Sequence, residues 1–423
     1  MITQSALNLV MTVRPGHEAL LQAQLERLRE DPGGNAVLPF ARLEGVHFAR
    51  LVLLPEAHRR GGLRYPPQLV LTTNVDGDLD THLHELVAVG GAGLRELLSH
   101  CRDFPDDASE AQVRTFLADH RQRVGAFYVN TLGRSLAQVS LEARLHEALQ
   151  RHLDEGEWQG RSAEQVRRAL IRFVDERSEL REALAPASGP DRWRWLGGWL
   201  LLGAIALAGV VLAVLLLPLT LLALVVLRLH EMANAPHNRR PRDAHVRRLE
   251  ADEDRGVHNQ LSAVGHIQAG PFRRLVLHVA LWLLNLAASR VFYRGKLAEI
   301  DTIHFARWVI IDKGERVYFF SNFDGSPESY QDDFIERVAF GLNLVFSNGE
   351  GWPRTRFLLF GGASDEQAFK AYYRDHQVPT TVWYRAPALA GLTAVNLANN
   401  AAIRAGLSGA MSEAQCRAWL QRF

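Results

Sequence analysis

The sequence contains the same short pattern twice, once on each side of a long apolar segment. Residues 45–50 read GVHFAR, and residues 302–307 read TIHFAR. Each copy is followed by a second shared pattern, which is TTNVDG at residues 72–77 and SNFDG at residues 321–325. The repetition predicts a duplicated module, and the apolar segment between the copies predicts a membrane element inside the chain.

Composition narrows the possible partners and compartments. The chain has 47 acidic and 48 basic residues, so its net charge gives no reason to expect a nucleic-acid partner. Its two cysteines, Cys101 and Cys416, form neither a disulfide framework nor a zinc-binding spacing, which suits a reducing compartment. The N-terminus has no signal-peptide pattern, so we expect membrane targeting to come from the internal segment.

The internal segment, residues 195–229, is almost wholly apolar and has a single charged residue, Arg228. A straight spanning helix needs about 20 apolar residues, so this segment is long for one crossing and short for two. Pro218 breaks or kinks a helix at that point. A buried helix of a soluble protein is the alternative, and the length argues against it.

Positive residues flank the segment on both sides, which predicts that both ends lie on the cytoplasmic side. We therefore predict a short helical hairpin that crosses twice or enters one leaflet, with both modules cytoplasmic; a single crossing is the alternative. A second apolar stretch, residues 275–293, predicts either a core helix or a helix on the bilayer surface. The flanking arginines are Arg192 and Arg194 before the segment, and Arg239, Arg240, Arg242, Arg247 and Arg248 after it.

Each module has the predicted element order β-α-β-β-α-β, which is the ferredoxin-like arrangement. The fold class is therefore α+β, with two duplicated ferredoxin-like modules that we expect to form one α/β barrel. The predicted strands are 6–13, 46–54, 68–75 and 125–130, and then 261–267, 303–311, 316–323 and 380–384. The predicted divisions are a first module (1–133), a helical connector (134–190), the membrane hairpin (191–230), a basic linker (231–256) and a second module (257–423) with an apolar helix (272–293).

Hairpin pairing places a histidine opposite an aspartate in each module. A turn near residue 314 puts His304 opposite Asp324, with Asn322 on the same face of the sheet. In the first module the same reasoning puts His47 opposite Asp76. A histidine–aspartate pair serves acid–base chemistry or metal binding.

Three further positions belong to these candidate sites. Asn74 corresponds to the second module's asparagine, and Arg50 and Arg307 follow the two histidines by three residues. That spacing puts both arginines on the opposite face of their strands. The alternative for the whole pattern is turn and capping chemistry, in which Asp accepts backbone N–H groups and Gly adopts positive φ.

Two ferredoxin-like modules with Asp-Gly at the end of a central strand resemble the dimeric α/β-barrel superfamily of dye-decolourising peroxidases and chlorite dismutases. The peroxidases carry a G-x-x-D-G motif, and residues 73–77 and 321–325 are similar to it except that the leading glycine is replaced. The resemblance implies a haem cofactor.

The resemblance also implies roles for individual residues. Asp324 or Asp76 would be the distal aspartate that shuttles the peroxide proton, and Arg307 or Arg50 would stabilise the developing negative charge. These peroxidases also use a proximal histidine, for which His376 is the candidate here, with His278 as the other possibility.

Three functions follow from these observations. The first is a membrane-attached haem peroxidase-like oxidoreductase that uses peroxide and an unknown reductant, for which a membrane-borne compound is one option. The second is a non-catalytic membrane-bound scaffold that binds a lipid or a protein, without a cofactor. The third is a cofactor-free acid–base enzyme that uses His304 and Asp324. The bilayer is the expected partner through residues 195–229, with residues 275–293 as a second candidate contact. An oligomer and a small-molecule or lipid ligand are both compatible with the sequence.

Overall fold

The computed structural model describes residues 4–59, 62–186, 192–236, 240–292, 297 and 299–423, which form a mixed α+β protein as predicted. The strands are β1 (Gln4–Thr12), β2 (Val46–Leu54), β3 (Ala57–His58), β4 (Arg64–Tyr65), β5 (Gln68–Asp76), β6 (Val124–Val129), β7 (His258–His266), β8 (Ile303–Ile311), β9 (Arg316–Asp324), β10 (Thr355–Arg356), β11 (Phe360–Gly361) and β12 (Val382–Arg385).

The helices include those of the predicted element order, the helical connector, the apolar hairpin and the apolar helix. Three more, α8, α12 and α13, were not indicated by the sequence patterns. The helices are α1 (Glu18–Glu30), α2 (Leu79–Ser99), α3 (Glu110–Asp119), α4 (Leu136–Glu155), α5 (Ala163–Asp175), α6 (Arg192–Leu215), α7 (Leu217–Ala233), α8 (Asp243–Glu250), α9 (Pro271–Arg290), α10 (Pro327–Phe346), α11 (Glu366–His376), α12 (Ala394–Ala405) and α13 (Glu413–Leu420). Tyr293, the last residue of the predicted apolar helix, lies outside the described residues.

The larger strands form two four-stranded antiparallel sheets, with orders β1-β5-β2-β12 (sheet 1) and β6-β8-β9-β7 (sheet 2). The described strands do not close into one barrel. Three strands of each sheet come from one half of the chain and the fourth from the other half, so the prediction that each module closes with its own strand was wrong. After α3 the chain bridges β1 only at Leu9 and Arg121, and it then continues along β8 as β6.

Each sheet has an apolar core on its outer face, and a third core lies between the sheets. Helices α1 and α2 cover sheet 1, whereas α9 and α10 cover sheet 2. The core between the sheets contains Val52 and Val70 from sheet 1 and Val309, Tyr318 and Phe320 from sheet 2. The two sheets therefore pack face to face.

Helices α4 and α5, predicted as a connector, pack with the C-terminal helices α12 and α13. Their shared core includes Leu145, Leu170, Ile403 and Trp419, which are all buried. Arg167 of α5 also donates to the carbonyl of Gly406 at 2.7 Å, which ties the first half to the end of the chain. The C-terminal segment of each half is thus a helical pair, and the two pairs form one small bundle.

The apolar segment forms α6 and α7, which meet at Leu216. That residue has φ −104° and ψ 34°, outside the helical range, and Pro218 follows in the first turn of α7. A straight stretch within α6, Trp193–Leu215, is long and apolar enough to cross a membrane and is mostly exposed. Large apolar side chains such as Leu207 (66% exposed) and Leu215 (74% exposed) face outward along the segment.

Both ends of this segment contact the second half of the protein. Gly198 of α6 packs against Arg290, and His230 of α7 stacks on Phe272 at 5.7 Å. A straight helix would separate residues 198 and 230 by roughly 48 Å, whereas residues 272 and 290 of α9 lie roughly 27 Å apart. The segment therefore bends sharply at Leu216, and we refer to α6 and α7 together as the apolar V.

Helix α9 combines the two alternatives that the sequence left open. Leu277 and Leu281 are buried against sheet 2, whereas Leu275, Val279 and Trp282 are 62%, 47% and 54% exposed. The helix is also long and apolar enough to cross a membrane by length and composition. One face is thus part of the core, and the other face forms an apolar surface beside the V.

Candidate functional site

The two predicted histidine–aspartate pairs are present at the matching ends of the two sheets. His47 Nε2 lies 2.9 Å from Asp76 Oδ1, and His304 Nε2 lies 2.7 Å from Asp324 Oδ1. Because a carboxylate only accepts hydrogen bonds, each imidazole donates from Nε2. The two histidines are 1% and 2% exposed, so both imidazole rings are shielded from solvent.

A β-bulge at each histidine shifts the register of the strand pair. Phe48 pairs with Asn74 and Phe305 with Asn322, one position away from the predicted alignment. The extra residue reverses the side-chain alternation that follows it. Because Arg307 lies two positions beyond Phe305, its side chain shares a face with Asn322, and the predicted opposite facing of the arginines was wrong.

Each aspartate has a second, structural partner at the start of a helix. Asp76 Oδ2 accepts a hydrogen bond from Leu136 N of α4 at 2.7 Å, and Asp324 Oδ2 accepts one from Ala394 N of α12 at 2.7 Å. The first N–H groups of a helix have no partner within the helix and carry partial positive charge. Both carboxylates therefore neutralise a helix N-terminus while they orient a histidine.

This dual bonding favours the capping interpretation over acid–base chemistry. Both oxygens of Asp324 are engaged by groups of the chain itself, and its side chain is only 7% exposed. The Asp-Gly step also has its turn role, because Gly77 and Gly325 have φ of 89° and 79°. The same combination in both halves points to a shared structural device.

The two pairs differ in one neighbour. His258 Nε2 lies 3.6 Å from Asp324 Oδ1, and Gln4 is the residue at the same register position beside Asp76. Both side chains donate to the loop before the capped helix, from Gln4 Nε2 to Arg134 O at 2.6 Å and from His258 Nε2 to Leu392 O at 2.9 Å. His258 and Gln4 thus each connect their strand to the loop before the capped helix.

The additional histidine creates a group of possible metal ligands, His258, His304 and Asp324, whose ligand atoms lie within 4.8 Å of one another. However, His258 Nδ1 lies 2.9 Å from the Arg385 Nη1 donor, and its Nε2 donates to Leu392 O. Both nitrogens of this neutral ring are therefore in use, whereas a metal needs one with a free lone pair. As arranged, these residues do not fit a metal ion.

Burial keeps His258 neutral. Desolvation is the main cause that lowers the pKa of His258 to about 4, and the adjacent His304 lowers it further. In the first half, desolvation likewise lowers the pKa of His82 to about 4. The His82 ring lies on α2, with Nε2 2.8 Å from Thr73 Oγ1. Each half thus contains a buried histidine that resists protonation.

Arg50 and Arg307 join the two sheets in a reciprocal manner. Arg50 of β2 donates to Asn322 Oδ1 at 2.7 Å and to Leu261 O at 2.6 Å in sheet 2. Arg307 of β8 donates to Asn74 Oδ1 at 3.0 Å and to the carbonyl of Leu7 at 3.1 Å in sheet 1. Each asparagine of the predicted site therefore receives an arginine from the other half.

These arginines have neutral hydrogen-bond acceptors in the described part of the chain. Burial lowers the pKa of Arg50 to about 9 and holds the pKa of Arg307 well below its ordinary value. Both guanidinium groups lie over the Phe320 ring, at 5.1 and 5.6 Å from its centroid. The arrangement stabilises the packing of sheet against sheet without a carboxylate partner.

The implied haem ligands are not brought together. His376 packs beside Gly265 near one end of β7, whereas Asp324 pairs with His258 at the other end. These positions lie seven steps apart along the strand, a distance of roughly 23 Å. One haem cannot have His376 as its proximal ligand and Asp324 over its other face, so this residue set does not fit a haem. His278, the other candidate, is exposed on α9.

His376 instead borders a polar cavity of about 740 Å³ at the end of α7. His58, His230, His266 and Glu350 also line it. The volume falls in the range of small-molecule sites. The sequence patterns did not indicate this cavity, because its histidines are far apart in the chain.

The sequence patterns also did not indicate helix α12 or the contacts of the aspartates with the starts of α4 and α12. Ser135 and Thr393 are the N-caps of α4 and α12, and each accepts a hydrogen bond from the residue three positions on, at 3.1 Å. A cap residue followed by Gln138 or Asn396 is a recognisable helix-start signal. It could have located α12, although not the contact of either helix with an aspartate.

Comparison with known proteins gives no family assignment: no family model, curated protein or solved structure matches the chain.

Proposed function

We propose that this protein is a membrane-bound, non-catalytic binding scaffold that is anchored in the bilayer by the apolar V. The observation that carries the proposal is the exposed apolar surface of α6 and α7, whose two ends return to the same half of the protein. Exposed apolar surface of this extent is costly in water and is typical of contact with a membrane or partner. These contacts favour a hairpin that enters and leaves the membrane on the same side.

The ends of the V carry residues suited to the membrane interface. Trp193 and Trp199 near the start of α6 are 67% and 47% exposed, and tryptophan is enriched at the headgroup level. Arginines flank both ends in the sequence. We therefore infer that both halves lie on the cytoplasmic side, as the positive-inside rule predicts.

The paired contacts support a duplication as the origin of the two halves. Bulged histidines, helix-capping aspartates and reciprocal arginines recur at corresponding positions. The edges of the sheets also approach each other, with bridges between Leu9 and Arg121 and between Ala263 and Gln377. We take the two sheets as an open form of the α/β barrel in which each half contributes one strand to the other.

The candidate catalytic groups have structural roles in this protein, which also supports the scaffold assignment. The carboxylates of Asp76 and Asp324 cap helices, and Arg50 and Arg307 join the sheets. The haem peroxidase hypothesis stays a prediction, and His376 with Asp324 does not fit it. The scaffold hypothesis needs no cofactor.

The test is flotation of the purified full chain with vesicles of phosphatidylcholine and phosphatidylglycerol. We compare the wild type with Leu207→Lys/Val211→Lys, two exposed positions of α6. Lysine at the centre of a spanning helix costs about 2.5 to 3.5 kcal/mol per residue, so the variant should be lost from the floating fraction. The wild type should float with the vesicles.

The matched control is Leu20→Lys/Leu63→Lys, because these leucines are 60% and 52% exposed and lie outside the V. This variant should float like the wild type. A wild type that stays in the aqueous fraction, or an α6 variant that still floats, would contradict the proposal.

A further inference from the structure

An apolar cavity of about 260 Å³ lies where α6 meets the second half of the protein. Its walls come from the V (Leu202), from α9 (Leu284 and Ala287) and from α10 (Gly341 and Val345). Phe340, which is 58% exposed, stands at its rim. The cavity is thus adjacent to the surface that we assign to the bilayer.

The lining selects a hydrocarbon chain. Among the described lining residues, the single polar side-chain group is the indole N–H of Trp308, which is covered by protein atoms and has no hydrogen-bond partner. A headgroup or a polar ligand would find no accessible donor or acceptor on these side chains, and burying it would therefore cost free energy. Methylene groups gain from the same burial.

Helix α10 departs from regular helical geometry where it borders the cavity. Val338, with φ −138° and ψ 24°, interrupts the helical geometry, and both Val338 and Gly341 line the cavity. A Cβ atom at Gly341 would meet no other atom within 4 Å. The volume is below the 300 to 1,000 Å³ that is usual for drug-sized ligands, which suits one narrow chain.

We infer that this cavity holds one acyl chain of a bilayer phospholipid, with the headgroup outside the rim at the membrane surface. The inference rests on the proposed function, since the lipid reaches the cavity from the leaflet that the V occupies. It adds a specific lipid site to general membrane attachment.

The experiment uses phosphatidylcholine with a diazirine near the end of one acyl chain. The full chain is reconstituted with this probe, irradiated and analysed by peptide mass spectrometry. Leu342 and Val345 are 7% and 4% exposed, so lipid that merely surrounds the protein cannot reach them. We expect adducts at these two residues as well as at exposed Leu207.

The discriminating variant is Gly341→Leu, which fills the cavity, and the matched control is Gly203→Leu. A Cβ at Gly203 also meets no atom within 4 Å, and Gly203 does not line the cavity. The leucine side chain would occupy the space of the acyl chain, so Gly341→Leu should lower the adduct yield at Val345 about tenfold. The yield at Leu207 should not change, and Gly203→Leu should label like the wild type.

Two outcomes would overturn the inference: absence of adducts at Leu342 and Val345 while Leu207 is labelled, or an unchanged yield at Val345 in Gly341→Leu. If Leu207 is unlabelled in vesicles, the proposed membrane anchoring fails. The cavity is then tested in detergent micelles that contain the same probe, where labelling of Val345 supports the site and its absence overturns it.

Discussion

The helix after the first strand of each half occupies a corresponding place in the chain but has a different surface. Helix α1 reads EALLQAQLERLRE and buries Leu21, Leu25 and Leu28 under a charged outer face. Helix α9 reads PFRRLVLHVALWLLNLAASR and has apolar residues on both faces. Since both helices cover a similar sheet, packing alone does not require the apolar outer face of α9. The first half thus has a charged outer face on this helix, whereas the apolar outer face at the corresponding place in the second half is what the proposed membrane attachment predicts.

The largest effect is expected from variants that remove the reciprocal hydrogen bonds of Arg50 and Arg307 between the two sheets. Arg50→Ala and Arg307→Ala each remove several buried hydrogen bonds and leave a cavity between the sheets. We expect each to lower the free energy of unfolding by about 3 kcal/mol, measured by denaturant titration in detergent. Arg417→Ala, at a 73% exposed side chain, should change it by less than about 0.5 kcal/mol. A loss in only one of the two buried variants would contradict the reciprocal arrangement.

The next effect concerns the helix-capping carboxylates. Asp76→Asn and Asp324→Asn each weaken the bond to a histidine and the interaction with a helix N-terminus. We expect losses of about 1 to 3 kcal/mol, with the larger loss for Asp324, whose side chain is 7% exposed against 14% for Asp76. Unfolding titrations measure both, and Asp107→Asn, an exposed position, is the control. Wild-type stability in both variants would exclude the capping role.

Acid sensitivity should appear in both halves. Buried His82 and His258 have pKa values of about 4, below the ordinary 6.5. Their neutral forms therefore add stability that is complete above pH 6.5 and is lost as the pH falls towards 4. Each contributes at most about 1.4 kcal/mol per pH unit over this window.

The measurement is the free energy of unfolding between pH 7 and pH 4 for His82→Gln and His258→Gln. Each variant should show a shallower fall than the wild type, while His58→Gln, with a 62% exposed side chain, should follow the wild type. Parallel curves for all four proteins would show that these buried rings do not govern the acid response.

The smallest effect is expected from substitutions on the outer faces of α9 and α1, which test whether the two helices differ in membrane contact. Leu275→Gln/Trp282→Gln should remove the proposed apolar contact of α9 with the bilayer while the V stays intact. We expect vesicle affinity in a dilution assay to fall about threefold to tenfold, because interfacial binding scales with buried apolar area. Leu20→Gln on α1 should have no effect. Equal losses from both helices would mean that the halves do not differ in membrane contact.

Much of the fold could be predicted from local sequence patterns. Period-two alternation and turn residues located the long strands, and the near-identical motifs around His47 and His304 aligned the two halves. The exchange of β6 and β12 between the sheets could not be predicted, because partner choice depends on long-range packing. The bulges at the histidines were equally invisible, and they reversed the side on which Arg50 and Arg307 lie.

The histidine–aspartate contacts of the candidate sites could be predicted, but the roles of these residues could not. Pairing arithmetic brought His304 to Asp324, since cross-strand neighbours follow from the turn. It could not show that Asp324 also caps α12, because Ala394 lies 70 residues further along the chain. The placement of His376 at the far end of β7 likewise required the tertiary structure.

The most direct test of the membrane anchor is cysteine labelling at both ends and at the bend of the V. Native Cys101 and Cys416 are buried, so Trp193→Cys, Leu216→Cys and Met232→Cys introduce single reactive positions. Each protein is reconstituted in vesicles and treated with a membrane-impermeant maleimide before and after permeabilisation. A V that enters and leaves on one side predicts equal labelled fractions at residues 193 and 232, with residue 216 protected until detergent is added. Complementary fractions at residues 193 and 232 would show a single crossing and contradict this account.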